Sequence, residues 1–385
     1  MNCRSCGSER TEMVFSLGDM PLPNLLLDYP GEPYSKYPLD LFVCSDCTLA
    51  QLGATVPPEK MFTDYTFLTS CSAPFVKHAE DLVARMVARG AEFLNKNSLV
   101  VEIGSNDGYL LQHYKNRGIP VLGIDPAGPP AMNAQILHGI TTLQMYFTNE
   151  LAEKIVAGRG QVEVIHANNV LAHVPDVNDF VKGIKTLLKP EGVAIVEIPN
   201  AEYLTFDQIY HEHVFYFTPL SLTRLFERHG LWVTSFEWIE THGGSIRAFV
   251  SHAGHLAAEA VPSSLFDWNV FALRADLVRN RLREMLTLLR PYRIAGFGAS
   301  AKATILLNYI GEAAENIEYI VDETPLKQRK FIPGPGITVM SLESMKDWPP
   351  DYLMIFCWNY AEQVMARFPE FKGRFIVPLP SPVIL

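Results

Sequence analysis

The chain has 385 residues, 48% hydrophobic and 19% charged, a composition that supports two or three globular units and excludes a fibrous or disordered polymer. A formal charge of −10 argues against a nucleic-acid partner, which needs clustered Lys and Arg. No apolar run reaches membrane-span length and no basic-then-apolar segment opens the chain, so a cytoplasmic protein with no membrane partner is expected.

Cys3-Arg4-Ser5-Cys6 opens the chain and Cys44-Ser45-Asp46-Cys47 answers it. Each C-x-x-C pair can offer two thiolates to one tetrahedral zinc, and four thiolates leave no open position for catalysis. The alternative is a redox dithiol. The intervening Leu17 to Leu41, with its Met20-Pro21-Leu22-Pro23-Asn24, is expected to loop out and return as a packed irregular excursion. Cys71 and Cys357 read as inert thiols. The aromatic, hydroxyl-rich Pro58 to Ser70 is a linker or a lid, followed by an amphipathic helix from Phe75 to Leu94.

Val100-Val101-Glu102-Ile103 then runs as a strand into Gly104-Ser105-Asn106-Asp107-Gly108 and an apolar helix start. This strand, Gly-rich turn and helix N-terminus is the arrangement by which an open α/β sheet holds a nucleoside cofactor. Gly104 and Gly108 let the backbone bend tightly and approach a ligand. A second strand, Val121 to Ile124, ends on Asp125, whose paired oxygens match two ribose hydroxyls. The spacing is G-x-x-x-G, not G-x-G-x-x-G, and acidic Glu102 and Asp107 flank it. That disfavours a diphosphate and suits a cation, which points to S-adenosylmethionine.

Val162 to Ala167 is the next strand. It delivers Asn168, Asn169 and His173 to the end of the sheet where ligands gather. A helix over Asp179 to Leu188 and a buried strand over Gly192 to Ile198 follow. Tyr210-His211-Glu212-His213, with Tyr216 close by, is a chemical cluster in apolar surroundings. Its H-x-H spacing suits a zinc helix poorly, because such a helix wants ligands at i and i+4. Leu222 to His229 reads as a helix and Val233 to Trp238 as a strand. A tight turn at His242-Gly243-Gly244 leads into another strand through Val250. A long helix from Pro262 to Leu289 bridges to a second α/β unit.

That unit opens on Arg293 to Lys302, a strand running into G-x-G-x-x-A and a helix. Ser300 and Lys302 add a donor and a positive charge at the helix N-terminus, which suits phosphate. The turn could hold NAD, the diphosphate of a sugar nucleotide, or nothing. Ile317 to Val321 ends on Asp322, and Tyr352 to Phe356 ends on Cys357-Trp358-Asn359-Tyr360.

Taken in order, the two C-x-x-C pairs, Glu102 to Gly108, Asn169 to Val174, Tyr210 to His213, His242 to Ser245 and Gly298 to Lys302 resemble the S-adenosylmethionine-dependent sugar-nucleotide C-methyltransferases. The resemblance covers almost the whole chain. It implies an α/β protein with a small N-terminal zinc-binding domain over 1–56, a central class I methyltransferase Rossmann-like domain over 57–255 and a C-terminal Rossmann-like sugar-nucleotide-binding domain over 256–385. It implies a monomer whose substrate is a nucleotide-linked 4-keto deoxysugar, usually dTDP-linked, deprotonated and then methylated at C-3.

Carried over residue by residue, the resemblance makes His213 the base, with Glu212 and Tyr210 beside it. His173 becomes a further active-site histidine that steadies the enolate oxygen, and Tyr65 an active-site tyrosine. Glu102, Gly104, Asn106, Gly108, Asp125, Asn168 and Asn169 are expected to hold the cofactor. His242, Gly244, Arg247, Ser300, Ala301, Lys302, Asp322 and Asn359 are expected to hold the substrate, and Cys3, Cys6, Cys44 and Cys47 the zinc. The chemistry is consistent with this, since a carbon accepts a methyl group only after losing a proton. A neighbouring ketone makes that loss feasible, and a histidine supplies a base near neutral pH. An O- or N-methyltransferase acting on a sugar nucleotide, an NAD-dependent sugar-nucleotide oxidoreductase and a non-enzymatic zinc-ribbon binding module are the rival readings.

Overall fold

The computed structural model describes residues 1–57, 61, 68–89, 94–240, 243–252 and 265–385. Tyr65 and His242, both expected in the site, lie outside the described residues. Three sheets carry the architecture.

The first sheet forms from the segment expected to be irregular, and that expectation is corrected. Strand β1 (Thr11–Pro21) pairs antiparallel with β2 (Lys36–Cys44), which pairs in turn with β3 (Ala50–Leu52). Phe15 and Leu17 point inward, as do Leu39 and Leu41, with polar Ser16 and Asp40 facing out between them. This two-residue period is what a half-buried sheet requires. The prolines hid it. Pro21 ends β1, and the rest of the Pro/Leu tract is the link between the two strands.

The central sheet begins with β4 (Val100–Ile103), β5 (Val121–Ile124), β6 (Thr142–Leu143), β7 (Val162–Asn168) and β8 (Leu188–Pro199), all parallel. The chain then lends β9 (Phe215–Tyr216) to the first sheet, against β3. It returns to add β10 (Leu231–Ile239) and β11 (Ser245–His252), giving the order β10-β11-β8-β7-β4-β5-β6. Strand β11 runs antiparallel to β8. Strands β4, β7 and β8 are near-continuous apolar runs because helices cover both faces of the sheet. The helix Ala73–Arg89 docks through Ala79, Leu82, Val83 and Met86, one face at helical spacing. Thr148 and Asp176 cap the helices that follow β6 and β7. Strand order reverses at β4, with β5 on one side and β7 on the other, so the carboxyl ends of β4 and β7 flank the crevice that binds ligands in such sheets.

The bridging helix spans Trp268–Leu288, and its expected start at Pro262 lies outside the described residues. Asp267 accepts from the backbone N–H groups of Asn269 and Val270, which fixes the start there. The third sheet comprises β12 (Ile294–Phe297), β13 (Ile317–Val321), β14 (Thr338–Met340), β15 (Tyr352–Ile355), β16 (Arg374–Val377) and β17 (Val383–Ile384), in the order β14-β13-β12-β15-β16-β17. Only β17 is antiparallel to its neighbour.

The first sheet packs both ways. Phe15, Leu17, Leu39 and Leu41 share one core with Leu282, Leu286, Ile305 and Ile310 of the C-terminal unit. Cys3, Cys44, Cys47 and Leu49 belong to the core of the central sheet. Among the described residues, no helix is long and apolar enough to cross a membrane.

Candidate active site

The four N-terminal cysteines converge. Cys3 Sγ lies 3.5 Å from Cys47 Sγ, Cys6 Sγ lies 3.6 Å from Cys44 Sγ, and all four sulfurs fall within 4.8 Å of one another. A zinc with bonds of about 2.3 Å sets its sulfurs close to 3.8 Å apart, so the set fits that ion. None of the four is in a disulfide. With every position filled by thiolate, the metal holds the fold and takes no part in chemistry.

Away from the zinc, a cavity of about 500 Å³ opens at the carboxyl ends of β4, β5 and β7. Gly104 adopts φ +70°, and a Cβ there would come within 2.3 Å of Val170 Cγ2, so only glycine fits the turn. Asn106 and Asn169 also hold left-handed backbone, at φ +47° and +55°, a conformation asparagine tolerates. Asp125 accepts from Asn106 N–H at 2.8 Å and from Ala127 N–H at 2.9 Å, which aims its carboxylate across the turn. Both oxygens of buried Glu102, together with Asp107 Oδ1, Asn168 Oδ1 and Asn169 Oδ1, find no hydrogen-bond partner among the described residues. Burial raises the Glu102 carboxyl well above the usual range, and the Asp125 and Asp107 charges add to it. Asp125 is raised as well, again mainly by burial.

Unmet acceptors crowded beside a glycine turn suit a ligand that brings hydroxyls and positive charge. S-adenosylmethionine brings both, and the site fits it. Gly104, Asn106, Asp125, Asn168 and Asn169 line the cavity. Glu102 lies behind it. Gly108 is not part of the cavity lining, and a Cβ there would meet Ile140 Cδ1 at 2.8 Å and Ala134 Cβ at 3.3 Å, so its bareness also serves packing.

Further along the same cavity stand Tyr210, Glu212, His213 and His173. The Tyr210 hydroxyl is 2.9 Å from His213 Nε2, and the two rings stack at 4.2 Å. The His173 ring meets His213 edge-on at 4.7 Å. His173 Nδ1 lies 2.7 Å from the Glu212 carbonyl oxygen. A carbonyl only accepts, so the proton sits on Nδ1, and burial holds the ring neutral by lowering its pKa to about 4. Its Nε2 is therefore an acceptor. In that form His173 would steady an enolate oxygen only after Nε2 gains a proton. Burial pushes the Glu212 carboxyl up to about 7, partly offset by a 2.7 Å hydrogen bond from Asn24.

The third wall comes from the C-terminal unit. Ala301 and Lys302 line the cavity at the start of the helix Ala301–Ile310, which Ser300 caps by accepting from Ala303 N–H. Lys302 Nζ sits 4.8 Å over the Trp358 ring and 3.4 Å from Asn359 Oδ1. Burial lowers the Lys302 pKa, and buried Asp207, which accepts from Trp358 Nε1 at 2.8 Å, pulls the other way.

Other expected substrate residues lie elsewhere. Arg247 is buried in β11 and bonded to Glu197 and Glu237, its cross-strand neighbours, so it ties the sheet together outside the cavity. Gly244 packs its backbone against Tyr203. Asp322 accepts from Ala299 and Thr324 N–H as Asp125 does from Asn106 and Ala127, but it also pairs with Lys327 at 3.4 Å and does not line the cavity.

Asn24, Phe75, Met145, Tyr146, Phe147 and Gln208 also line the cavity and were not anticipated. Met145 to Phe147 follow β6, a strand of two residues that is too short for a periodic pattern to reveal.

Residues 3–62 match a zinc binding domain, residues 75–235 a methyltransferase domain and residues 240–380 a C-methyltransferase C-terminal domain. The C-methyltransferase NovU of Streptomyces niveus is 35% identical in an alignment covering 100% of this chain and 96% of that protein. A ubiquinone biosynthesis O-methyltransferase of Rhodopseudomonas palustris (strain TIE-1) is 26% identical over 133 residues, 34% of this chain and 52% of its own length. Among solved structures, a magnesium protoporphyrin IX methyltransferase from Synechocystis PCC 6803 with bound SAM aligns at TM-score 0.37 and 15% identity, over 51% of this chain and 89% of its own.

Proposed function

The chain belongs to the C-methyltransferase family, and on that premise we propose that its S-adenosylmethionine-dependent reaction takes place on a nucleotide-linked 4-keto deoxysugar, at C-3. The observation that carries this reading is the single cavity that runs from the Asp125 turn, past Tyr210, Glu212 and His213, to Lys302. A methyl acceptor placed there meets a base, a carboxyl group and a cation on one path. We divide the chain for these tasks at 1–56, 57–255 and 256–385.

S-adenosylmethionine, when bound, supplies an electrophilic methyl group. Asp125, Asn168 and Asn169 hold it through its hydroxyls and polar groups, and buried Glu102 favours its positive charge. His213 takes the proton from the carbon alpha to the ketone, its ring steadied by the Tyr210 hydroxyl at 2.9 Å. The freed electron pair delocalises onto the ketone oxygen, and donors in the cavity, the Tyr210 hydroxyl and the Lys302 ammonium among them, stabilise that charge. The carbon would then form its new bond to the methyl group as the methyl–sulfur bond breaks, the electron pair of that bond passing to sulfur and S-adenosylhomocysteine leaving.

Glu212 accepts from a sugar hydroxyl and His173 offers Nε2 as a second acceptor. Lys302 and the capped helix start behind it receive the phosphates of the nucleotide. Four cysteines kept as thiolates suit a reducing cytoplasm. Incubating the zinc-loaded protein with a panel of nucleotide 4-keto sugars and methyl-labelled cofactor tests the reading. Label on a ring carbon of a 4-keto sugar supports it, whereas label on oxygen or nitrogen overturns it.

A further inference from the structure

The zinc-bearing hairpin reaches far from its metal. Between Pro21 and Lys36 the chain leaves β1 and crosses to the other two units before returning in β2. The C-terminal unit grips it on the way. Thr304 Oγ1 donates to the Pro23 carbonyl at 2.9 Å, and Leu27 exchanges two backbone hydrogen bonds with Phe331, at 2.9 and 2.8 Å. Asp28 also pairs with Lys330 at 3.0 Å. Held this way, Asn24 lines the cavity and its Nδ2–H donates to Glu212 Oε1 at 2.7 Å, across 188 positions of sequence. The same hairpin steadies the neighbouring residue. His211 Nε2 lies 3.1 Å from the Tyr37 carbonyl, and the two rings meet edge-on at 5.9 Å.

We propose that Asn24 is a positioning residue that aims the Glu212 carboxylate into the cavity, so that the N-terminal unit completes the active site as well as binding zinc. The inference deepens the reading of Glu212 given above and rests on it. An amide N–H bonded to a carboxylate favours the charged form. That bond works here against burial, which pushes Glu212 up to about 7. The other titratable groups lining the cavity with Glu212 are Tyr210 and His213 on its own turn, His173, Asp176 and Asp179 after β7, Lys302 from the C-terminal helix, and Tyr109, Asp125 and Tyr146. His211 is turned toward Tyr37, and what the hairpin brings to the carboxylate is the neutral amide of Asn24. Asn24 is itself exposed to the cavity, so replacing it disturbs little packing.

The test follows the Glu212 carboxyl by carbon-13 NMR in zinc-loaded, glutamate-labelled protein, its signal identified by its loss in Glu212→Gln. Asn24→Leu removes the donor at similar volume, while Asn24→Gln keeps an amide. We expect the Glu212 titration to move up by about one pH unit in Asn24→Leu, with zinc content unchanged, and to return part of the way in Asn24→Gln. A Glu212 titration in Asn24→Leu that coincides with the unsubstituted protein overturns the inference, whatever happens to activity. If the titration moves while the pH profile of methyl transfer at limiting sugar nucleotide does not, Asn24 positions Glu212 as proposed and the reading of Glu212 as a sugar-hydroxyl acceptor fails instead.

Discussion

Two strand-turn-helix units in this chain share a backbone plan and differ in charge. At Gly104, buried Glu102, Asp107 and Asp125 surround the turn, and Glu102 and Asp107 hold acceptors unmet among the described residues. At Gly298, the corresponding acid, Asp322, accepts two backbone N–H groups as Asp125 does but is also paired with Lys327, and the charge this unit offers to the cavity is Lys302. One unit is built to receive hydroxyls and positive charge, the other to present positive charge. The fold sets where a ligand sits, and the residues at the strand ends set which ligand it is. Between the two turns stands His213.

The largest effect is expected there. His213→Asn keeps volume and polarity but removes the base, so methyl transfer should fall by about 10²–10⁴. Affinity for cofactor and sugar nucleotide, measured by calorimetry, should hold.

The two glycines sharpen the comparison next. Gly104→Ala meets both a left-handed backbone and Val170 Cγ2 at 2.3 Å, whereas a Cβ on Gly298, at φ +92°, has its nearest neighbour, Cys357 Sγ, at 3.6 Å. Denaturant unfolding should show a loss of about 2–5 kcal/mol for Gly104→Ala and about 1–2 kcal/mol for Gly298→Ala. Equal losses would mean that the turns are equally crowded.

Asp125→Ala should weaken S-adenosylmethionine by about 1.5–3 kcal/mol, and Asp322→Ala should leave that affinity unchanged. A pH dependence accompanies it. Glu102 and Asp125 are raised by burial, and a cationic ligand favours their charged forms, so binding should release protons. Cofactor affinity should therefore rise with pH through the raised values of these two groups, and calorimetry in buffers of different ionisation enthalpy would read the proton count. The smallest effect belongs to Lys302→Gln, which should weaken the sugar nucleotide about tenfold without touching cofactor affinity.

The sequence made some of this legible and hid the rest for physical reasons. Val100 to Gly108 was readable because a fully buried parallel strand must be an apolar run, and its turn must be glycine at position 104. The cysteine pairs were readable because ligand spacing is local. Strands β1 and β2 were hidden by the prolines at the end of one and in the link between them, although Phe15, Leu17, Leu39 and Leu41 carried the alternation. Arg247 was expected among the substrate ligands only through the resemblance. Its alternation within β11, opposite Glu197 and Glu237, is the signal that would have assigned it to the sheet. Asn24 gave no signal at all, because its contact with Glu212 exists only once three units have packed.

The central claim is that His213 opens the reaction by removing the proton alpha to a ketone. The direct measurement is solvent deuterium exchange at that carbon of a nucleotide 4-keto sugar, with S-adenosylhomocysteine in place of a reactive methyl donor. The account predicts exchange in the unsubstituted protein, its loss in His213→Asn and its persistence in Glu212→Gln and His173→Asn. Exchange at the original rate in His213→Asn, with loss in either of the others, would contradict it.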